Sequence, residues 1–388
     1  MRKETRTRAA NKQKEIANSA KDNPKAFWKY VNSRTKSNKA IGDLHILDSS
    51  QNNTIVTTDE CKANVFSDYF ASVFTNERLH TIPELKLTLP ENSMQIFPLH
   101  FSAENILKEL DKLNVSKSCG PDNLHPRILK ELSPVICSTL GTIFENSLST
   151  GILPSDWKTS NISVIHKKGP KQNVENYRPI TLTCIACKIM ESIIRDNLAQ
   201  YFAVNNLFSD YQYGFIKGRS ATLQLLNILD GWTSALNSGK QVEVIYTDFA
   251  KAFDKVPHQR LLTKLRSYGL DSKLISWIED FLCFRTQRVK INHSYSSPSP
   301  VKSEIPQGSG LGPLLFVIYI NDLPDVGHDL CSLYLFADDA KLYKVINQNS
   351  DLTTLTAACQ ALLEWCDKWC MQLNTDKCKA LTLGNLKF

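Results

Sequence analysis

Apolar and polar residues alternate in two segments of the chain, and this alternation predicts half-buried β-strands. In "QVEVIYTD", Val244 and Tyr246 stand at every second position, so the strand places Asp248 on the same face at its end. In "SLYLFADDAKLY", apolar residues flank two adjacent carboxylates, Asp338 and Asp339. This second pattern predicts a β-hairpin that carries both aspartates near its turn.

Other segments repeat their apolar residues at helical spacing, which predicts helices that pack on the strands. These segments are "DECKANVFSDYFASVF", "FSAENILKELDKL", "CKIMESIIRDNLAQYF" and "LTTLTAACQALLEWC". In "EIPQGSGLGPLLFVIYINDL", a Gly-rich turn that lets a ligand approach the backbone closely precedes an apolar helix. Since helices separate the strands and acidic residues stand at strand ends, the predicted fold class is α+β.

The charge of the chain is unevenly distributed. The 388 residues carry a formal net charge of +7, with 42% hydrophobic and 22% charged residues, which is a globular composition. Residues 1–40 hold 12 Lys or Arg and only 3 Asp or Glu, so the basicity belongs to an N-terminal arm. Two interpretations stay open: the arm binds a polyanion, or it is a solvated lysine-rich helix or linker.

The cysteines and the longest apolar run exclude several classes of protein. Eleven cysteines are scattered along the chain, and "MRKETRTRAANKQ" lacks the apolar stretch of a signal peptide, so we predict a reducing, intracellular compartment. Cys184 and Cys187 form a CxxC without a second pair or a histidine, which favours thiols over a zinc site. The apolar run Leu314–Ile320 is too short to span a bilayer, and no membrane partner is expected.

Two like charges beside apolar strands need compensation by solvent or by a cation. Asp338 and Asp339 therefore mark either a solvated turn or a metal site. Asp248 lies on a different strand, and two strands that bring carboxylates to one sheet edge can share a pair of divalent cations. Oxygen-only ligands suit Mg²⁺, and Lys167 and Arg178 in an earlier basic loop are suited to phosphate.

Seven segments, in this order, resemble the motif series of reverse transcriptases from non-LTR retrotransposons of the jockey-like type: "DWKTSNISVIHKKG", "NYRPITLT", "YGFIKGRSATLQLL", "YTDFAKAFDKVPH", "IPQGSGLGPLLFVIYINDL", "LFADDAKLY" and "LNTDKCKALTLG". The resemblance covers residues 102–384, and "PKAFWKYVN" resembles the segment that precedes this domain. It implies a right-hand polymerase with fingers and a palm, in which helices flank an antiparallel palm sheet.

The resemblance also implies a division of the chain. Residues 1–100 are expected to form the basic arm and a linker, and residues 101–388 the reverse transcriptase domain, with fingers at about 101–240 and palm at about 241–388. The sequence ends at Phe388, directly after a predicted strand. We therefore expect a fragment that lacks the helical thumb and the upstream endonuclease domain of such elements.

The family's metal-binding and catalytic roles match five residues of this sequence. Asp248 and Asp338 match the aspartates that bind two Mg²⁺ ions, and the backbone carbonyl of Phe249 matches a further metal ligand. Asp339 matches the second aspartate of the hairpin, whose part in catalysis is less direct. Lys377 matches a lysine proposed to protonate pyrophosphate.

The nucleotide-binding roles match a second set of residues. Arg178 and Lys167 match the triphosphate-binding residues of the fingers. Phe253 matches the aromatic residue beneath the incoming sugar, which sterically excludes a 2′-hydroxyl. Gln307 and Gly308 match the loop that lies against the nucleotide and the template.

Several of these assignments leave alternatives open. Lys168 is an alternative to Lys167, and Lys379 lies close enough to Lys377 to replace it. Phe253 is an aromatic residue after a strand, a position that core residues often take. A structural role in a turn is the corresponding alternative for Gln307.

The leading functional hypothesis is an RNA-directed DNA polymerase that uses dNTPs, an RNA template and a DNA primer. A non-catalytic, nucleic-acid-binding remnant of a retroelement is the alternative. Phe253 disfavours an RNA-dependent RNA polymerase, which must accept the 2′-hydroxyl. The family resemblance places the product in the nucleus and the cytoplasm.

Overall fold

The protein is described here from a computed structural model. The described residues are 2–24, 27–28, 30–31, 41–47, 53–86, 89, 94, 96 and 98–384. The chain divides into two compact units, Met1–Asp43 and Leu44–Phe388. In the first unit, helix α1 (Arg2–Asn18) has mostly exposed side chains where these are described. Residues 32–40 of the predicted basic arm lie outside the described residues.

The second unit mixes helices with strands. Its helices are α2 (Asp59–Ser72), α3 (Ala103–Asp111), α4 (Pro126–Glu131), α5 (Ser133–Thr150), α6 (Ile185–Val204), α7 (Ala221–Asn237), α8 (His258–Ser267), α9 (Ser272–Leu282), α10 (Gly312–Tyr319) and α11 (Asn349–Lys368). Its strands are β1 (Leu44–Leu47), β2 (Asn53–Val56), β3 (Thr159–His166), β4 (Tyr177–Leu182), β5 (Gln241–Asp248), β6 (Thr286–Ile291), β7 (Ser294–Tyr295), β8 (Ser299–Pro300), β9 (Ser332–Phe336), β10 (Asp339–Ile346) and β11 (Lys379–Leu383). No helix in the described ranges is long and apolar enough to cross a bilayer.

An antiparallel sheet forms the centre of the second unit. Its strands lie in the order β11-β5-β10-β9, and every neighbouring pair is antiparallel. Residues Ala337 and Asp338 form the two-residue turn between β9 and β10. The predicted α+β class and the predicted antiparallel sheet flanked by helices are confirmed.

The two faces of this antiparallel sheet pack against different helices. Ala340 and Leu342 of β10 point into the main hydrophobic core. On the other face, Val244 of β5 and Tyr343 of β10 pack with Trp232 of α7 in a smaller cluster. Because side chains alternate along a strand, Asp248 lies on the same face as Val244, at the end of β5.

A second sheet contains the β3–β4 hairpin. Its order is β4-β3-β6-β7, β8 also pairs with β6, and the β3–β6 pair is parallel. Helix α2 packs against it, with the rings of Phe66 and Tyr177 5.0 Å apart. Thr58 caps α2 by accepting a hydrogen bond from the Cys61 amide. The hairpin register sets Ile165 opposite Arg178.

Glu304 is an acidic residue that the fold buries without a full set of partners. Its backbone φ of +115° lies in the region that favours glycine, and its carbonyl accepts a hydrogen bond from Nε2 of His258 at 2.9 Å. The carboxylate atom Oε1 has no hydrogen-bond partner within the described part of the chain. Burial, with a smaller contribution from Asp254, raises the pKa of Glu304 from 4.5 to about 8.

The raised pKa of Glu304 predicts that the fold loses stability as the pH rises from 4.5 to about 8. Between pH 4.5 and about 8, the folded state keeps a proton that the unfolded state releases, so stability falls as pH rises. We expect Glu304→Gln to flatten this decline in thermal unfolding midpoints measured from pH 5 to 8.5. Glu131→Gln, at an exposed glutamate, is the charge-matched control. Parallel curves for the parent and Glu304→Gln would contradict the prediction.

Candidate active site

A cavity of about 610 Å³ lies between the antiparallel sheet, the β3–β4 hairpin and the loop before α10. Its wall includes nine residues whose roles the sequence predicted: Lys167, Arg178, Asp248, Phe249, Phe253, Gln307, Gly308, Asp338 and Lys377. Lys168, the alternative to Lys167, lines the cavity as well. Asp339 is not among the described residues that line the cavity.

Strand pairing brings the three predicted aspartates to one end of the antiparallel sheet. Asp339 stands directly opposite Asp248 in the β10–β5 register, and Asp338 precedes it in the turn. Asp338 is half-buried and Asp339 is exposed. Burial raises the pKa of Asp338, and the negative charges of Asp339 and Asp248 raise it further. The pKa of Asp339 is likewise raised by burial and by Asp248, so negative charge is concentrated here.

Lys377 neutralises part of this charge. Its ammonium group forms an ion pair with Oδ2 of Asp248, and both side chains are partly exposed. The amide of Asn374, in the same loop, donates a hydrogen bond of 2.7 Å to the Asp248 carbonyl. Lys379 begins β11 opposite Tyr246 and is not among the described residues of the cavity wall. Of the two candidate lysines, Lys377 is therefore the one in contact with the aspartates.

The backbone carbonyl of Phe249 is an oxygen donor next to Asp248. Phe249 and Leu373 form an isolated antiparallel bridge. The hydrogen bonds of this bridge run from the Asn374 amide to the Asp248 carbonyl and from the Ala250 amide to the Gln372 carbonyl. Since the neighbours of Phe249 make these bonds, its own carbonyl takes no part in the bridge.

Cationic side chains also line the cavity. Lys167 and Arg178 are exposed residues of the β3–β4 hairpin. Burial lowers the pKa of Lys167, and the positive charges of Arg178 and Lys377 lower it further, while Asp248 opposes the shift. Lys167, Arg178 and Lys377 all line the cavity. A cluster of this kind is suited to a polyanion such as a triphosphate.

Phe253 belongs both to the cavity wall and to the packed interior. Its half-buried ring stacks on Phe316 of α10, with 4.3 Å between the ring centroids. Its backbone carbonyl accepts a hydrogen bond of 2.9 Å from the Ile305 amide. The ring is therefore held firmly while one side of it faces the cavity.

Gln307 and Gly308 are fixed by contacts with two different segments. The Gln307 side chain donates to Oδ1 of Asp254 at 2.5 Å, and its carbonyl accepts from the Thr181 amide at 2.8 Å. Gly308 has a φ of +124°, and a Cβ atom there would lie 2.7 Å from the Thr181 carbonyl oxygen. Only glycine fits this position, because it tolerates both the backbone angle and the close approach.

Comparison with known families identifies the chain from its sequence. A family model described as reverse transcriptase (RNA-dependent DNA polymerase) matches residues 165–388, which is more than half of the chain. The chain belongs to the reverse transcriptase family. The match includes every residue placed in the cavity above, so the geometry belongs to the part of the chain that defines the family.

Relatives of this reverse transcriptase chain come from mobile elements. The probable RNA-directed DNA polymerase from transposon BS of Drosophila melanogaster is 30% identical over 345 residues, which cover 83% of this chain and 37% of that protein. The RNA-directed DNA polymerase from mobile element jockey of Drosophila melanogaster is 28% identical over 293 residues, or 73% of this chain and 32% of that protein. The chain thus spans about a third of the length of these relatives.

The donor atoms of the cavity fit a divalent metal ion, on which the reverse transcriptase family generally depends. Asp248 and Asp338 contribute carboxylates and Phe249 a carbonyl that takes no part in the bridge, an oxygen-only set that hard cations prefer. Among the described residues, no three His, Cys, Asp or Glu side chains are grouped closely enough to hold a metal ion. The ion pair of Lys377 with Asp248 places an ammonium group beside one of these carboxylates.

The sequence did not point to three buried side chains that hold the loops of the cavity, Asp254, Glu191 and Gln212. Asp254 is buried and accepts the Gln307 bond, and Glu191 of α6 accepts from the amides of Gly310 and Leu311 at 2.6 and 3.2 Å. Gln212 contacts the turn that carries Asp338. A signal for Glu191 existed, since it is a charged residue within the apolar repeat of "CKIMESII".

The donor set predicts that Asp338 contributes to metal binding without any nucleic acid present. We expect Asp338→Asn to weaken Mn²⁺ binding by roughly tenfold or more, because it removes a charged oxygen ligand. Titration of free Mn²⁺ by electron paramagnetic resonance measures this. Asp230→Asn, at an exposed residue of α7, is the matched control and should bind Mn²⁺ as the parent does. Equal affinities for the parent and Asp338→Asn would contradict the assignment.

Proposed function

We propose that the chain is the fingers and palm of a non-LTR retrotransposon reverse transcriptase. In this proposal it transfers nucleotides from dNTPs to the 3′-hydroxyl of a DNA primer on an RNA template. Residues 101–240 supply the fingers and residues 241–388 the palm. The observation that carries the proposal is the single cavity that joins carboxylates, cations and an aromatic ring.

The cations of the cavity bind the triphosphate of the nucleotide. Arg178 provides two parallel N–H donors for phosphate oxygens, and Lys167 adds a compact charge from the same hairpin. Since the aspartates line the same cavity, a triphosphate bound by these cations would lie beside the metal ligands. Lys377 reaches the same space, so its ammonium group can give a proton to the departing pyrophosphate.

The aspartates hold the metal ions of the proposed reaction. Asp248, Asp338 and the carbonyl of Phe249 would bind two Mg²⁺ ions. When bound, Mg²⁺ lowers the pKa of the primer hydroxyl and neutralises charge on the phosphates. Asp339 acts less directly, because it faces Asp248 from the neighbouring strand and is exposed. The negative charge of the three carboxylates provides the attraction for these ions.

Phe253 selects the sugar of the incoming nucleotide. The stack with Phe316 keeps the ring in one place, and its free side forms part of the cavity wall next to Asp254 and Gln307. A rigid ring at the sugar leaves no room for a 2′-hydroxyl. Gln307 and Gly308 form the adjoining surface against the base and template.

The relatives from mobile elements support a retroelement origin. The family resemblance implies that reverse transcription is primed on chromosomal DNA. We therefore propose that the protein works in the nucleus and the cytoplasm.

Primer extension tests the proposed activity. The purified chain is incubated with an oligonucleotide-primed RNA template, dNTPs and Mg²⁺, in parallel with Asp338→Ala. We expect extension by the parent and a loss of at least a hundredfold in the variant, because a metal ligand is removed. Primer-template binding at several salt concentrations provides the control for folding. If both bind equally and neither extends, the chain is a non-catalytic, nucleic-acid-binding remnant.

The role of Phe253 predicts a change in sugar selectivity. We expect Phe253→Val to raise incorporation of rNTPs relative to dNTPs by roughly tenfold or more, since space opens beside the 2′ position. The measured quantity is the ratio of kcat/KM for the two nucleotides. Phe316→Val removes the stacking partner that keeps this ring in place, so it should raise the same ratio by less than Phe253→Val does. An unchanged ratio in Phe253→Val would exclude it as the sugar gate.

A further inference from the structure

The turn that carries Asp338 has a strained backbone. Only Ala337 and Asp338 connect β9 to β10, and Ala337 has a φ of +53°. This is the left-handed region, which a residue with a Cβ atom adopts at a cost and glycine adopts freely. Ala337 is buried, so solvent does not satisfy its backbone groups. Contacts from elsewhere in the fold must hold the turn.

The side chain of Gln212 supplies these contacts. It is fully buried, and its Oε1 atom accepts hydrogen bonds from the amides of Ala337 at 3.0 Å and Gly214 at 2.7 Å. Its Nε2 atom lies 3.5 Å from the Ala337 carbonyl oxygen, to which it donates. The Gln212 side chain therefore binds both the backbone amide and the backbone carbonyl of Ala337.

The segment around Gln212 is itself fixed to the antiparallel sheet. Gln212 and Leu335 form a parallel bridge, in which Tyr213 donates to the Leu335 carbonyl and Leu335 donates to the Tyr211 carbonyl, each at 2.8 Å. The guanidinium of Arg219 donates to the Gln212 carbonyl at 2.7 Å. The segment thus continues the sheet beyond β9, and the Gln212 side chain has a fixed base.

Gly214 shows how closely this segment approaches the turn. A Cβ atom at Gly214 would lie 2.3 Å from the backbone nitrogen of Ala337, so no other residue fits there without a shift. The contact between the two backbones is therefore direct. Gln212 is not among the described residues of the cavity wall, and it reaches the site only through Ala337.

From these contacts we propose that Gln212 is a positioning residue for Asp338. It holds the strained backbone of Ala337, and thereby sets where the Asp338 carboxylate stands relative to Asp248. The effect on metal binding follows from this placement, since a misplaced ligand binds a cation more weakly. The catalytic consequence rests on the proposed polymerase function, whereas the structural one does not.

A pair of matched variants tests the proposal. Gln212→Met keeps the length of the side chain but removes its hydrogen bonds. Gln224→Met makes the same change at another buried glutamine, which contacts Lys341 on the sheet instead of the turn. We expect amide hydrogen exchange at Ala337 and Gly214 to accelerate at least tenfold in Gln212→Met only. Mn²⁺ affinity, measured by electron paramagnetic resonance, should fall roughly tenfold in the same variant.

A second substitution tests whether Gln212 acts by stabilising the strained backbone of Ala337. Ala337→Gly removes the cost of the left-handed conformation. Added to Gln212→Met, it should restore at least half of the lost Mn²⁺ affinity on a logarithmic scale. A double variant that binds no better than Gln212→Met would overturn the role of strain.

The proposal is overturned if Gln212→Met and Gln224→Met behave alike in amide exchange and in Mn²⁺ affinity. These readouts need neither primer nor nucleotide, so they stand apart from the polymerase assay. A parent that binds Mn²⁺ but does not extend primers would refute the proposed function and leave the positioning role intact. In an active parent, Gln212→Met should raise the Mg²⁺ concentration for half-maximal rate while the KM for dNTP stays within about twofold.

Discussion

The pairing of β5 with β10 is the interaction on which the candidate site depends. Its register sets Asp339 opposite Asp248 and leaves Asp338 in the turn next to them. A slip of one residue would turn the apolar residues of β10 toward the wrong face, so burial of Ala340 and Leu342 protects the register. The hydrophobic core thus fixes the positions of groups that are themselves polar and partly exposed.

Charge balance is the second constraint on the cavity. Asp248 and Asp338 raise the free energy of the site through their mutual repulsion, and Lys377 offsets part of it by direct contact. Lys167 and Arg178 line the same cavity. The site therefore combines carboxylates, which attract cations, with cationic side chains, which attract phosphate. A metal-bound nucleotide matches both, because its metal ion carries positive charge and its phosphates carry negative charge.

Buried polar side chains that bind the loops of the cavity decide how firmly this arrangement is held. The Gly-rich loop is held at Gln307 by Asp254, and further along by Glu191 of α6. The aspartate turn is held by Gln212. Each of these three side chains is buried and binds a segment distant in sequence. A buried polar group lowers the stability of a fold unless it is hydrogen-bonded. These three groups are hydrogen-bonded to the loops, so they fix the loop geometry where apolar side chains would only fill space.

Local periodicity in the sequence determined the strands β5 and β10, the acidic turn and the α+β class, because side chains alternate along a strand and apolar residues recur along a helix. The motif resemblance added roles for Lys167, Arg178 and Lys377, which no periodicity reveals. Only the tertiary structure decided that Lys377 rather than Lys379 contacts Asp248, and that Phe253 is both stacked and facing the cavity. Only the tertiary structure shows that Gln212 contacts Ala337, 125 residues away in the sequence. Such contacts depend on register and chain path, which arise from packing between segments distant in sequence.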